Sequence, residues 1–185
     1  MKATLGPAVR LGLAATVVAV VACSAAAAQT VTASALKAAF LYNFVRFTEW
    51  PADAARTGPL TICVLGDPAV ARELDHTVKA HAIDGRQVAV SRVTVDGLRA
   101  CHVLYLTGLD RKRSKEIIDE LNGEPVLTVS DDDRFAETGG ILRLFVMDSK
   151  IRFDINLDAS LRAQLRISSR VLSLGKIVKD DVAPR

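Results

Sequence analysis

Three consecutive carboxylates, Asp131 to Asp133, are the first residues in this sequence whose type could do chemistry. They follow the apolar run 125–129, which reads as a buried strand, and α/β proteins place ligand sites just beyond such strands. Carboxylate oxygens suit a divalent cation. Consecutive side chains of one loop rarely converge on one centre, however, and an aspartate here can instead cap a short helix before Gly139. We therefore expect no metal site.

The histidines do not suggest a catalytic or metal centre either. His76, His81 and His102 have no metal-like spacing and no fixed cysteine or carboxylate partner. The sequence contains no G-x-S-x-G nucleophile turn, no Walker A loop and no dinucleotide-binding glycine pattern. We therefore predict a protein that is not an enzyme and needs no cofactor.

A polar segment near a predicted helix start, Leu165 to Arg170, could bind an anion. Backbone N–H groups, two hydroxyls and arginine side chains come together there, and these groups suit a carboxylate or another small anion. The alternative is a serine N-cap flanked by solvated arginines. The candidate ligand-binding residues are Asn156, Arg166 and Ser168.

The first 28 residues have the pattern of a secretory signal peptide. Lys2 and Arg10 precede the apolar run 11–22, and small residues lead to Ala26-Ala27-Ala28 before Gln29. The run is shorter than the roughly 20 apolar residues of a membrane-spanning helix. We expect cleavage after Ala28, a domain spanning residues 29–185, and a periplasmic location.

Residues 20–23, Val-Val-Ala-Cys, also fit a lipoprotein signal, in which Cys23 would be lipidated and become the first residue. The simpler interpretation is a cysteine that is discarded with the signal peptide. We expect the unanchored form.

Removing residues 1–28 takes away two of the 24 basic residues and none of the 21 acidic ones, so the net charge falls from +3 to +1. With so small a surplus of positive charge, nucleic-acid binding loses its electrostatic basis. The remaining chain of about 157 residues suits one domain with one core.

Two cysteines, Cys63 and Cys101, remain after cleavage. An even number in an oxidising compartment favours a disulfide. Cys63 lies inside a strand-like run and Cys101 stands just before another, so the two sulfurs can meet if those strands are neighbours. Two buried free thiols are the alternative.

Strand-like and helix-like patterns alternate along most of the chain. A wide apolar face predicts a largely buried helix over 34–50, which Pro51 would end. Strand, helix and strand in succession predict a parallel α/β sheet with helices on both faces. The predicted strands are Leu60–Leu65, Gln87–Val93, His102–Thr107 and Pro125–Val129, and the predicted helices between them run from Pro68 to about Lys79 and from Arg111 to Leu121.

The C-terminal part departs from this alternation. Residues 141–148 and 150–157 alternate apolar and polar side chains around a turn, which predicts an antiparallel hairpin closing the sheet. A helical stretch over 158–178, broken near 165–168, is expected to pack back on it. The predicted fold is a single three-layer α/β domain.

Several stretches resemble the YfiR family of periplasmic regulators, and together they cover nearly the whole mature chain in the expected order. They are Ala38–Phe44 with Phe47–Pro51, Cys101–Tyr105, Pro125–Ser130, Phe135-Ala136 with Gly139-Gly140, Arg152–Asp158 and Leu165–Ser169.

The resemblance implies a repressor that docks on the periplasmic sensor domain of an inner-membrane diguanylate cyclase. Envelope or redox stress would then raise cyclic di-GMP and promote biofilm. Cys63 and Cys101 match one cysteine pair of the characterised member, while its second pair, near Gly139-Gly140, has no counterpart here. That absence leaves the disulfide's role as either structural or regulatory.

A second interpretation is a periplasmic sensor module that binds a small ligand, such as an anion, near Asn156, Arg166 and Ser168. It would serve another membrane partner such as a histidine kinase. A homodimer is compatible with both interpretations.

Overall fold

The computed structural model describes residues 31–52, 58–79, 81–147 and 150–181. The predicted signal peptide, including Cys23, and part of the predicted hairpin turn lie outside them. The elements in chain order are α1 (Ala33–Arg46), β1 (Thr48–Glu49), β2 (Leu60–Leu65), α2 (Pro68–Val78), β3 (Ala82–Ile83), β4 (Arg86–Arg92), a 3-10 turn (Leu98–Ala100), β5 (Val103–Leu106), α3 (Arg111–Glu120), β6 (Leu127–Ser130), β7 (Leu142–Met147), β8 (Lys150–Asn156), α4 (Leu157–Arg162), β9 (Arg166–Ile167), α5 (Ser169–Leu172) and β10 (Lys176–Val178).

An eight-stranded sheet in the order β10-β8-β7-β6-β5-β2-β4-β3 forms the centre of the described chain. The five strands β4, β2, β5, β6 and β7 are mutually parallel, β7 and β8 form an antiparallel pair, and β10 runs parallel to β8. The predicted mixed α/β fold with a mostly parallel sheet and a C-terminal hairpin is confirmed.

Alternating strand residues divide the core into two clusters, one on each face of the sheet. Ile62 and Tyr105 belong to the cluster that includes α1, α2 and α5, whereas Cys63 and Leu104 belong to the one that includes α3. The sheet is therefore the middle layer of three, as the sequence predicted.

The N-terminal helix is buried as predicted but ends earlier. Thr32 caps α1 by accepting a hydrogen bond from the Ala35 N–H (3.1 Å). The helix ends at Arg46 because the chain then pairs with a distant strand, Thr48 opposite Ile167. This long-range pairing, and not Pro51, stops the helix.

The expectation of helix as far as Val178 is wrong for its last part. The helix α4 ends at Arg162, and Gln164 has a positive φ of 56° just before the predicted break at 165–168. After α5, Gly175 lies so close to Phe153 that a Cβ there would be 2.5 Å from the ring. The chain then joins the sheet, with Ile177 in register with Ile155, so β10 and not the hairpin forms this edge.

Candidate functional site

The crevice where α/β sheets commonly bind ligands is closed in this protein. The order of strands reverses between β2 and β5, which marks the expected site at their carboxyl ends. The Thr107 N–H donates to the Leu65 carbonyl (3.1 Å). A Cβ on Gly66 would lie 2.2 Å from the Thr107 carbonyl oxygen, so the two loops touch through their backbones.

Next to this closed crevice, Asp131 links the end of β6 to α1 and to the end of β5. Its carboxylate accepts hydrogen bonds from Lys37 of α1 and from the Thr107 hydroxyl beyond β5. Burial raises the pKa of Asp131, but the bonds from Lys37 and Thr107 outweigh burial and bring that pKa below its ordinary value. Burial, helped by the charges of Asp131 and Asp67, raises the pKa of the Tyr105 hydroxyl, so that group stays neutral.

The other two carboxylates of the aspartate run have separate partners. Asp132 accepts from the Gly108 N–H (3.3 Å), and Asp133 pairs with Arg143 (2.6 Å). The same arginine also contacts Asp154 (3.3 Å). Across the described ranges, no group of three or more histidine, cysteine or acidic residues could hold a metal ion.

A disulfide joins Cys63 of β2 to Cys101, which directly precedes His102 and β5, with their Cα atoms 5.8 Å apart. Ile62 is paired with Val103, so the bridge links adjacent parallel strands. Both cysteines are buried in the core cluster on the α3 face of the sheet.

The candidate ligand-binding residues are not brought together. Asn156 is fully buried and caps α4, where its Oδ1 accepts from the Ala159 N–H (2.9 Å). Its Nδ2 donates to the Ala136 carbonyl (2.7 Å) and to Asp180. Because Asn156 is three residues from Phe153 along β8, the two side chains point to opposite faces of the sheet.

Arg166 and Ser168 lie beside the end of α1. The Arg166 guanidinium is largely exposed and sits 3.8 Å from the Glu49 carboxylate. The Ser168 N–H donates to the Phe47 carbonyl (2.9 Å), and its buried hydroxyl has no hydrogen-bond partner among the described residues. A ligand role for Asn156, Arg166 and Ser168 stays a prediction.

The Ser168–Phe47 bond lies beside an apolar groove between α1 and α5. We call it the aromatic groove; its volume is about 360 Å³. The residues that line it are Phe40, Asn43, Phe44, Phe47, Phe153, Arg170, Val171 and Leu174.

Phenylalanine rings that pack against one another form the floor of the groove. The rings of Phe44 and Phe153 meet edge to face with centroids 5.2 Å apart, and Phe40 joins them at 6.1 Å from Phe153. Leu174 forms the lip and is 74% exposed. Because Gly175 lies against Phe153, the backbone holds Leu174 above the groove.

The sequence indicated the groove only in part. Its helical spacing correctly placed Phe40 and Phe44 on one face of α1, with Phe47 following at the end of the helix, but it predicted that this face is covered. The structure leaves Phe40 and Phe47 partly exposed because α5 is only four residues long. A leucine between Ser173 and Gly175, where helix would be expected to end, is the sequence signal that could have indicated the open lip at Leu174.

The described residues form a small α/β domain with an apolar groove on its surface, and they bring together no catalytic set. Residues 34–176 match the family model described as YfiR/HmsC-like, DUF4154, and the chain belongs to this family. The family is periplasmic and regulatory rather than catalytic. Membership supports a periplasmic regulator in a cyclic di-GMP signalling system of the YfiR type.

No helix in the described part of the chain is both long enough and apolar enough to span a bilayer.

Proposed function

We propose that this protein represses a membrane-bound diguanylate cyclase by docking the aromatic groove on the cyclase's periplasmic sensor domain. Release of the repressor under envelope or redox stress would raise cyclic di-GMP and promote biofilm. The observation that carries the proposal is the groove itself, a preformed apolar surface in a regulatory family with no catalytic set among the described residues.

The shape and chemistry of the groove favour a protein partner. Exposed apolar patches rimmed by polar residues mark interaction sites, and large side chains in well-packed pockets contribute most to binding. Leu174 is 74% exposed in the free protein, so a partner that covered it would gain about 1.5–3 kcal/mol from its burial. The rings of Phe44 and Phe153 already pack against each other in the free protein, so their ordering adds little to the cost of binding.

In this proposal, oxidation acts through stability and not at the docking surface. The Cys63–Cys101 bridge lies in the core cluster on the α3 face, whereas the groove opens on the α1 face. Loss of the bridge would therefore lower the amount of folded repressor and leave the groove's chemistry unchanged.

Deletion of the gene and complementation test the proposal. We expect deletion to raise cellular cyclic di-GMP and the wild-type gene to restore it. Leu174→Asp should fail to restore it, because a carboxylate on the lip opposes burial. The matched control is Leu161→Asp, since Leu161 is 69% exposed and lies on α4, outside the groove.

Immunoblots must show both variants at wild-type amounts. Unchanged cyclic di-GMP in the deletion strain, with an expressed membrane GGDEF protein encoded beside the gene, would contradict repression. Equal repression by the wild type and Leu174→Asp would contradict docking through the groove.

A second candidate function, sensing of a small ligand for another membrane partner such as a histidine kinase, is favoured by a different cleft. This cleft of about 210 Å³ lies between α3 and α4. Its wall carries both positive and negative side chains, namely Lys115, Arg162, Asp119 and Asp180. A kinase gene next to this one, with kinase output that changes on deletion, would favour the sensor over the repressor.

A further inference from the structure

The aromatic groove has a cationic rim. The Arg46 guanidinium lies 5.5 Å from the centroid of the Phe47 ring, and that of Arg170 lies 5.9 Å from it. Arg170 lines the groove itself, and Arg46 is next to the groove because it contacts the groove-lining ring of Phe47. Both arginines are exposed.

Neither rim arginine has an ion-pair partner among the residues that the structure describes. None of the described groove-lining residues is acidic. The carboxylate nearest to Arg46 along the chain, Glu49, lies 3.8 Å from Arg166. Contact with an aromatic face leaves the N–H donors of a guanidinium free, and those donors match a carboxylate in a bidentate manner.

From this geometry we infer that the aromatic groove takes an acidic segment of the partner, with a large apolar side chain between carboxylates. The apolar side chain fills the space between Phe40, Phe47 and Leu174, and the carboxylates meet Arg46 and Arg170. This inference rests on the proposed function, because it specifies the chemistry of the partner at the same surface.

Short blocked peptides test the charge of the occupant without the cyclase. The probes are acetyl-Asp-Leu-Phe-Asp-amide, the corresponding peptide with lysine in place of aspartate, and a neutral one with serine. Each is titrated to millimolar concentration into the ¹⁵N-labelled mature protein at low salt, and amide chemical shifts report both the affinity and the place of binding.

We expect the acidic peptide to shift the amides of Phe40, Phe47 and Leu174 and to bind about tenfold more tightly than the lysine peptide, as two exposed ion pairs would provide. The preference should shrink at high salt, since exposed charges are then screened. It should vanish or reverse in the double variant Arg46→Glu/Arg170→Glu.

The matched control is Arg111→Glu, because Arg111 is also exposed and lies on α3, across the sheet from the groove. It should keep the preference for the acidic peptide. The double control Arg111→Glu/Arg113→Glu changes the net charge as much as the double variant at the groove. If it keeps the preference, the effect of Arg46 and Arg170 is local and does not come from net charge.

Equal binding of all three peptides in the groove would overturn the acidic partner while leaving the groove as a docking site. Shifts located elsewhere, or no binding of the acidic peptide at millimolar concentration, would also overturn the inference. The proposed function fails by a different result, full repression of cyclic di-GMP by Leu174→Asp, so the two failures are distinguishable.

Discussion

Reducing the Cys63–Cys101 disulfide should cost this protein a large part of its stability. The bridge joins residues 38 positions apart. In the chain-entropy model a cross-link closing a loop of about that size restricts the unfolded chain by about 4 kcal/mol at 25 °C. Whole domains are stable by only about 5–15 kcal/mol. For a domain of this size, the loss corresponds to a fall in melting temperature of about 8–16 °C.

Urea unfolding followed by circular dichroism measures this loss on oxidised protein and on protein that was unfolded, reduced and refolded. Both cysteines are buried, so reductant added to the native protein would react slowly. Cys63→Ala and Cys101→Ala should each behave like the reduced protein and be insensitive to reductant. Oxidised and reduced forms within about 1 kcal/mol of each other would refute the reasoning, as would two titratable thiols in the native, unreduced protein.

Three substitutions elsewhere should destabilise the fold in distinguishable ways. Asp131→Asn removes the ion pair with Lys37 and should lower the free energy of unfolding by about 1–3 kcal/mol. Folding lowers the pKa of Asp131, so this loss of stability is complete above about pH 4 and becomes smaller as the pH falls through the lowered pKa. Urea titrations of the wild type and the variant at several pH values measure it. Asn156→Ala removes the α4 cap and its buried bonds and should cost about 2–4 kcal/mol by the same assay. Gly66→Ala places a Cβ against the Thr107 carbonyl oxygen at a residue with positive φ, so it should lower the melting temperature. A fall of less than about 2 °C would contradict this expectation.

The strands and helices in the middle of the fold could be predicted from the sequence, because their local patterns match the structure that the whole sheet requires. Apolar runs at Leu60–Leu65 and His102–Thr107 predicted two buried strands, and the structure makes them parallel neighbours. Asp67 followed by Pro68 predicted a helix start, and Asp67 accepts hydrogen bonds from the Ala69 and Val70 N–H groups.

The C-terminal part was less readable because distant contacts decide its structure. Lys176–Val178 continues an apolar helical spacing, but pairing with β8 makes it a strand. Thr48 and Glu49 continue the pattern of α1, yet they pair with Ile167 and Arg166. Neither pairing can be recognised from the local sequence pattern alone.

The candidate site shows the same limit. Asn156 precedes an acidic helical segment, which is an N-cap pattern, and the structure uses it in that way. The groove instead depends on how far α5 extends over Phe40 and Phe47, and helical spacing cannot supply that length. Only the packing of Gly175 against Phe153 fixes the open lip at Leu174.

Site-specific photo-crosslinking in cells tests docking through the groove most directly. A photoreactive phenylalanine analogue at position 174, in the full 185-residue chain, should crosslink to the periplasmic domain of the membrane cyclase. The same analogue at position 161, a second exposed leucine outside the groove, should give little or no crosslink. Crosslinking to the cyclase from 161 but not from 174, or from neither position while repression is intact, would contradict the account.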